Sequence, residues 1–180
     1  RAELASYVEI WWQAVNDFLD LLESIPEDEW DTPTDLPGWD VRAVAAHVAH
    51  LESILAGGPE ETAEVGEPPH VTGLMGLYTE IGVVNRRQSS ADAIINEIRE
   101  ATTARHTTLV SEMPTDATAK PSVIFGGVPW DWRTLLRNRP IDIWMHEQDV
   151  RRAVGRPGGM ESAAAKHTAE ILAGRLGFVL

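Results

Sequence analysis

An all-α fold is what this sequence predicts, and three observations predict it. Apolar residues recur at alternating spacings of three and four in several long segments. No segment alternates with period 2 for long enough to build a sheet. The clusters of Gly and Pro fall between the periodic segments. With 180 residues, 43 % of them hydrophobic, the chain suits one compact domain with a sizeable core. We expect residues 1–180 to form one helical bundle domain. The chain starts at Arg1 and closes on Gly177-Phe178-Val179-Leu180 with no polar tail, so we expect the N-terminal part of a longer protein.

The elements follow in order. Leu4, Val8, Trp11, Val15, Phe18 and Leu22 line one face of a helix over residues 2–24, which Pro26 and the acidic run after it end. Thr32-Pro33-Thr34-Asp35 is a loop that leads into Leu36-Pro37-Gly38, a chain-breaking turn. Asp40 is placed to cap the next helix, because its carboxylate can accept the free N–H groups of the first turn. Val41, Val44, Val48, Leu51 and Leu55 form that helix's apolar seam, and Gly57-Gly58-Pro59 stops it. Residues 59–70 read as an acidic, Pro-rich surface loop. Residues 72–87 read as a weak helix, because Gly73, Gly76 and Gly82 each lower helix propensity. Ser89-Ser90 caps a helix over 91–112 with Ala91, Ile94, Ile95, Ile98, Thr102 and Leu109 on its seam. Residues 114–127 form a loop. A helix from about residue 131 is kinked or restarted at Pro140 and ends near Val154 at Gly155-Arg156-Pro157-Gly158-Gly159. Residues 160–176 make one more helix. The long connections at 57–72 and 113–130 argue for one or two crossovers over a plain up-down-up-down bundle.

Composition excludes several functions. A formal net charge of −13 argues against nucleic-acid binding, which needs clustered Lys and Arg. No apolar run reaches membrane-spanning length and no signal-peptide pattern is present, so we expect a soluble cytoplasmic protein without a membrane partner. The chain has no cysteine, which excludes disulfides, Cys-ligated zinc and a cysteine nucleophile. Any thiol chemistry must use a sulfur carried in on a small molecule, and any metal must be held by His nitrogen and carboxylate oxygen.

Two stretches carry candidate chemistry. At about 100° per residue, His47 sits about 80° from the centre of its helix's seam, at the edge of the core, while His50 sits about 140° away and is expected to face water. In Asp142-Ile143-Trp144-Met145-His146-Glu147-Gln148-Asp149, the spacings i, i+4 and i, i+3 place Asp142, His146 and Asp149 within roughly 60° of one another beside an apolar stripe, with Glu147 outside the group. Bundle interiors are places where facing helices build His/carboxylate metal sites. Two imidazoles and one carboxylate leave a fourth position open, the pattern of a catalytic zinc site. Asp149 is placed to accept the free ring N–H of His146 and fix its tautomer. The plain alternative is that both histidines are hydrogen-bonded core-edge residues and the two aspartates are helix-surface charges.

Leu36-Pro37-Gly38-Trp39-Asp40-Val41-Arg42, followed four residues later by His47, resembles the N-terminal motif of the DinB-like metal-binding bundles, specifically the mycothiol-dependent maleylpyruvate isomerase family. Asp142 to Gly155 resembles that family's second motif. The resemblance runs over almost the whole chain. It implies a DinB-like four-helix bundle with crossover connections and extra short helices. It also implies a divalent metal, zinc or alternatively nickel, held by His47, Asp142 and His146. Where the family has Glu, this chain has Asp142, one methylene shorter, so the helices must sit closer, a water must bridge, or the metal binds weakly. Mycothiol as cofactor and a small electrophilic substrate, taken through isomerisation or S-transfer, are the implied activity, and an absence of Cys agrees with sulfur supplied from outside.

Other readings stay open: a non-catalytic binding or regulatory bundle, and a transferase using another thiol. Arg86 is a candidate to hold an anionic substrate, with a solvated helix end as the plain alternative. A homodimer is an open assembly. Of the seven tryptophans, Trp11, Trp39 and Trp144 fit core or core-edge positions, and Trp130 and Trp132 are candidates for a pocket mouth.

Overall fold

The computed structural model describes residues 2–176. Among them the chain forms α1 (Ala2–Glu23), α2 (Val41–Leu55), α3 (Gly73–Asn85), α4 (Ala91–Ser111), α5 (Trp132–Val154) and α6 (Ala163–Leu176), with short 3-10 turns at Glu27–Glu29 and Phe125–Gly127 and no β-strand. Arg1 and Gly177-Phe178-Val179-Leu180, read above as a trimmed start and an apolar end, lie outside the described residues. No described helix is long and apolar enough to cross a membrane.

Around the bundle the neighbours run α1, α5, α2, α4 and back to α1. Helices α1 and α2 therefore stand on opposite corners, as do α4 and α5, and the connections 24–40 and 112–131 are diagonal crossovers. Trp30 secures the first one. Its side chain is fully buried, its indole N–H donates to the Ile25 carbonyl at 3.2 Å, and its own carbonyl accepts from Arg42 N at 2.9 Å. Helix α6 packs on α1 and α5, and α3 lies across the outside of α2.

Local rules account for the element ends. Asp40 accepts from Ala43 N at 2.8 Å, Ser90 from Ala93 N at 3.1 Å and Asp131 from Thr134 N at 2.8 Å, each capping a helix start. Gly155 ends α5 in the left-handed region at φ 66°. Helix α6 starts three residues later than expected, because Ser162 is the residue whose hydroxyl accepts from Ala165 N, at 3.1 Å. Helix α5 runs through Pro140 as one element.

One expectation is overturned. His50 does not face water; it is 1 % exposed. A single-helix wheel gives α2 one apolar face, but α3 covers its outer side as well, so nearly the whole helix is interior. The approach of the two helices depends on Gly82. A Cβ there would lie 2.3 Å from the His50 imidazole, so the glycine that weakens α3 is what lets α3 close on α2. Trp132 does line a cavity, of about 220 Å³, with Leu55 and Arg105, but that cavity is separate from the histidines.

Two glycines of α3 should respond in opposite senses. Gly82→Ala is expected to destabilise the protein by about 1–3 kcal/mol through overpacking. Gly76→Ala, which meets only Val71 at an ordinary 3.9 Å, should stabilise it by about 0.5–1 kcal/mol through helix propensity. Urea unfolding of both variants checks the pair.

Candidate metal centre

The site begins at a turn. Trp39 N donates to the Leu36 carbonyl at 3.1 Å and Gly38 has φ 76°, so Leu36-Pro37-Gly38-Trp39 is a type II turn with Pro and Gly at their favoured places. Thr34 Oγ1 donates to the Trp39 carbonyl at 2.7 Å and holds it. The turn sets the Trp39 ring 5.1 Å from the His47 ring and 6.3 Å from that of His146, centroid to centroid.

Helices α2 and α5 then bring three side chains together. His47, Asp142 and His146 each offer one ligand atom, and these atoms lie within 4.8 Å of one another. His47 Nε2 is 3.6 Å from Asp142 Oδ2, and His146 Nε2 is 3.4 Å from Asp142 Oδ1. The two imidazoles meet edge to face with centroids 4.8 Å apart. On a tetrahedral zinc with bonds of about 2.0–2.1 Å, neighbouring ligand atoms stand about 3.3 Å apart, and the two spacings from the imidazoles to Asp142 are close to that.

His47 shows the fit from another side. Its Nδ1 is buried without a partner, and its Nε2 is too far from Asp142 for a hydrogen bond. A buried imidazole that makes no hydrogen bond to the described residues while facing a carboxylate and a second imidazole suits coordination through Nε2. Burial holds its pKa below the ordinary imidazole value, with the Asp142 charge opposing, which favours the neutral form a metal needs.

Asp142 is held by a neighbour that sequence reasoning did not single out. Arg139, one turn earlier on α5, donates through Nη1 to Asp142 Oδ2 at 3.0 Å and through Nε and Nη2 to Glu52 Oε1 on α2 at 2.9 and 2.8 Å. Burial works to raise the Asp142 pKa, but Arg139 and His146 together hold it well below the usual carboxylate range. His146 donates through Nδ1 to Asp149 Oδ2 at 3.1 Å, and Asp149 Oδ1 accepts from Arg152 at 2.6 Å. This leaves Nε2 turned toward Asp142. Burial opposes charging of His146, yet Asp142 and Asp149 outweigh it and raise its pKa to about 9.

Arg86 is not brought to these residues. Its guanidinium is buried and shared between Glu61 and Glu97 at 2.7–3.2 Å, with a further bond to the Gly82 carbonyl. What the three clustered residues do adjoin is a pocket of about 260 Å³, lined by His47 and His146 together with Trp39, His70, Thr79 and Glu80. Residues His70, Glu80, Glu52 and Arg139 were missed. A lone Glu52 among the Val, Ala and Leu of α2 was a signal for a buried polar partner; nothing in a loop's pattern places His70.

In the metal-free protein His146 should titrate near 9 and His47 below the ordinary imidazole value, read from ring resonances by NMR. A folded-state pKa above the unfolded one stabilises fully below about 6.5 and loses that stabilisation as pH rises through 9, so metal-free protein should lose stability from neutral pH to about pH 10. Asp142→Asn should lower the His146 value and flatten that dependence.

The protein-family model described as the mycothiol maleylpyruvate isomerase N-terminal domain matches residues 11–151, a span that contains His47, Asp142 and His146. A crystal structure of the mycothiol-dependent maleylpyruvate isomerase is similar at TM-score 0.57, and one of a His-to-Ala mutant of it at TM-score 0.56. Each is 17 % identical and is matched over 82 % of this chain and 60 % of its own, a likeness of fold. The chain thus spans about 60 % of the length of these relatives. No curated protein matches significantly. With the match extending over most of its length, the chain belongs to the mycothiol maleylpyruvate isomerase N-terminal domain family.

Proposed function

We propose that residues 1–180 act as the metal-binding domain of a thiol-dependent enzyme, with His47, Asp142 and His146 as ligands of a divalent metal, zinc in the first instance. The reaction class is isomerisation or S-transfer on a small electrophile, with mycothiol as the thiol. The observation that carries this reading is the convergence of three ligand atoms within 4.8 Å, two of them on residues, His47 and His146, that line a 260 Å³ pocket. Family membership supports the choice of thiol.

A divalent metal there supplies a Lewis acid that favours the thiolate form of a bound thiol. The remaining work belongs to the chain. Asp149 fixes the His146 ring so that Nε2 faces the centre. Arg139 fixes the Asp142 carboxylate against rotation. Trp39 packs its ring beside the two imidazoles. Leu36, Pro37 and Val71 give the pocket an apolar wall that suits the carbon skeleton of a small substrate.

A second reading, a binding bundle without turnover, is favoured by one observation: Asp142 already spends one oxygen on Arg139. Metal content separates the two. Protein purified without chelators should carry close to one zinc per chain by mass spectrometry of the metal. His47→Ala should abolish it, and Asp149→Ala should weaken zinc binding by about 10–100-fold. Zinc must displace the proton His146 holds below about pH 9, so apparent affinity should rise about tenfold per pH unit from neutral pH and level off above that value. Metal-free protein whose zinc affinity is unchanged by His47→Ala would leave the binding bundle as the correct reading.

A further inference from the structure

His70 lies in the loop that precedes α3 and lines the same pocket as His47 and His146. Its imidazole is held on two sides. Nε2 is 3.1 Å from Glu80 Oε1. Glu80 is 1 % exposed, its Oε2 accepts the Trp39 indole N–H at 2.8 Å, and Arg87 stands 3.5 Å from Oε1. A carboxylate in that setting is an acceptor, so Nε2 carries the hydrogen and Nδ1 is left with its lone pair. The ring also packs on Gly38, where a Cβ would lie 2.4–2.6 Å from three of its atoms, so only glycine leaves it this position.

The other two imidazoles of the pocket have no such nitrogen. His47 Nδ1 is free but sealed from solvent. The two nitrogens of His146 face Asp142 and Asp149. Among the described residues Nδ1 of His70 has no hydrogen-bond partner, and its side chain is partly open, at 18 % exposure. A base backed by a buried carboxylate, in the same pocket as the candidate ligands His47 and His146, is the arrangement that activates nucleophiles in general.

We propose that His70, oriented by Glu80, is the acid–base residue of this pocket. It takes the proton of an incoming thiol and gives it back when the thiol leaves. The S–H bond breaks with its electron pair left on sulfur, an N–H bond forms at Nδ1, and the imidazolium charge is balanced by Glu80. The reverse transfer closes the cycle with no other reactant. The proposal rests on the thiol-dependent reading above.

The test uses cobalt(II)-loaded protein and N-acetylcysteine as the thiol probe. Sulfur bound as thiolate gives a near-ultraviolet charge-transfer band, and stopped-flow absorbance follows its appearance. His70→Asn should slow that appearance by about 100-fold, in the range general base catalysis contributes, and added imidazole should restore much of it. Cobalt affinity should change less than about threefold, since His70 is no ligand in this account. His70→Gln should behave like His70→Asn, and Glu80→Gln should slow the band less. In metal-free protein, nitrogen NMR should find His70 with its hydrogen on Nε2. Equal rates in wild type and His70→Asn overturn the proposal, as does slowing matched by an equal loss of cobalt affinity. Absence of the band in wild type overturns the thiol-dependent reading itself, and the proposal with it.

Discussion

A single buried guanidinium organises this molecule. Arg139 is 1 % exposed and joins the buried Glu52 of α2 to the half-buried Asp142 of α5 across one helix–helix contact. Such groups are costly to desolvate, and removing one partner of a buried pair generally costs about 3–5 kcal/mol because the other is left uncompensated. The arrangement therefore persists only while α2 and α5 keep their present distance and register. That distance also brings His47 within 3.6 Å of Asp142. The contact that closes the bundle and the one that assembles the candidate site are the same contact.

The rest of the site is built by elements that contribute little to the core. Helix α3 is short, rich in glycine and exposes Leu74, Met75 and Leu77. Its value lies in what it closes. By packing on α2 over Gly82 it buries His50, and by carrying Glu80 it supplies the acceptor for both Trp39 and His70. The Pro-Gly turn before α2 works the same way. Its glycine permits the positive φ, and its missing side chain makes room for the His70 ring. A residue that reads as punctuation in sequence serves twice in space.

Legibility differed between residues for physical reasons. His47, Asp142, His146 and Asp149 could be found because helical spacing fixes which side chains share a face, and the caps at Asp40 and Asp131 fix where each helix starts. Family motifs added which of those faces meet. His50 was misplaced because a wheel knows one helix, and its burial is the work of a second. The ion pairs of Arg86 could not be read, because its partners, Glu61 and Glu97, come from a loop and from another helix. His70 carries no periodic signal at all.

By itself the sequence determined the helices, their ends, the absence of any protein thiol, and the candidate ligands on α2 and α5. These follow from local hydrogen bonding, side-chain periodicity and composition, which act within a few residues. The tertiary structure alone decided that α1, α5, α2 and α4 close in that order, that Arg139 ties Glu52 to Asp142, and that His70 and Glu80 share a pocket with His47. Those facts depend on packing between segments far apart in the chain, where the energy lies in contacts that no single stretch of residues contains.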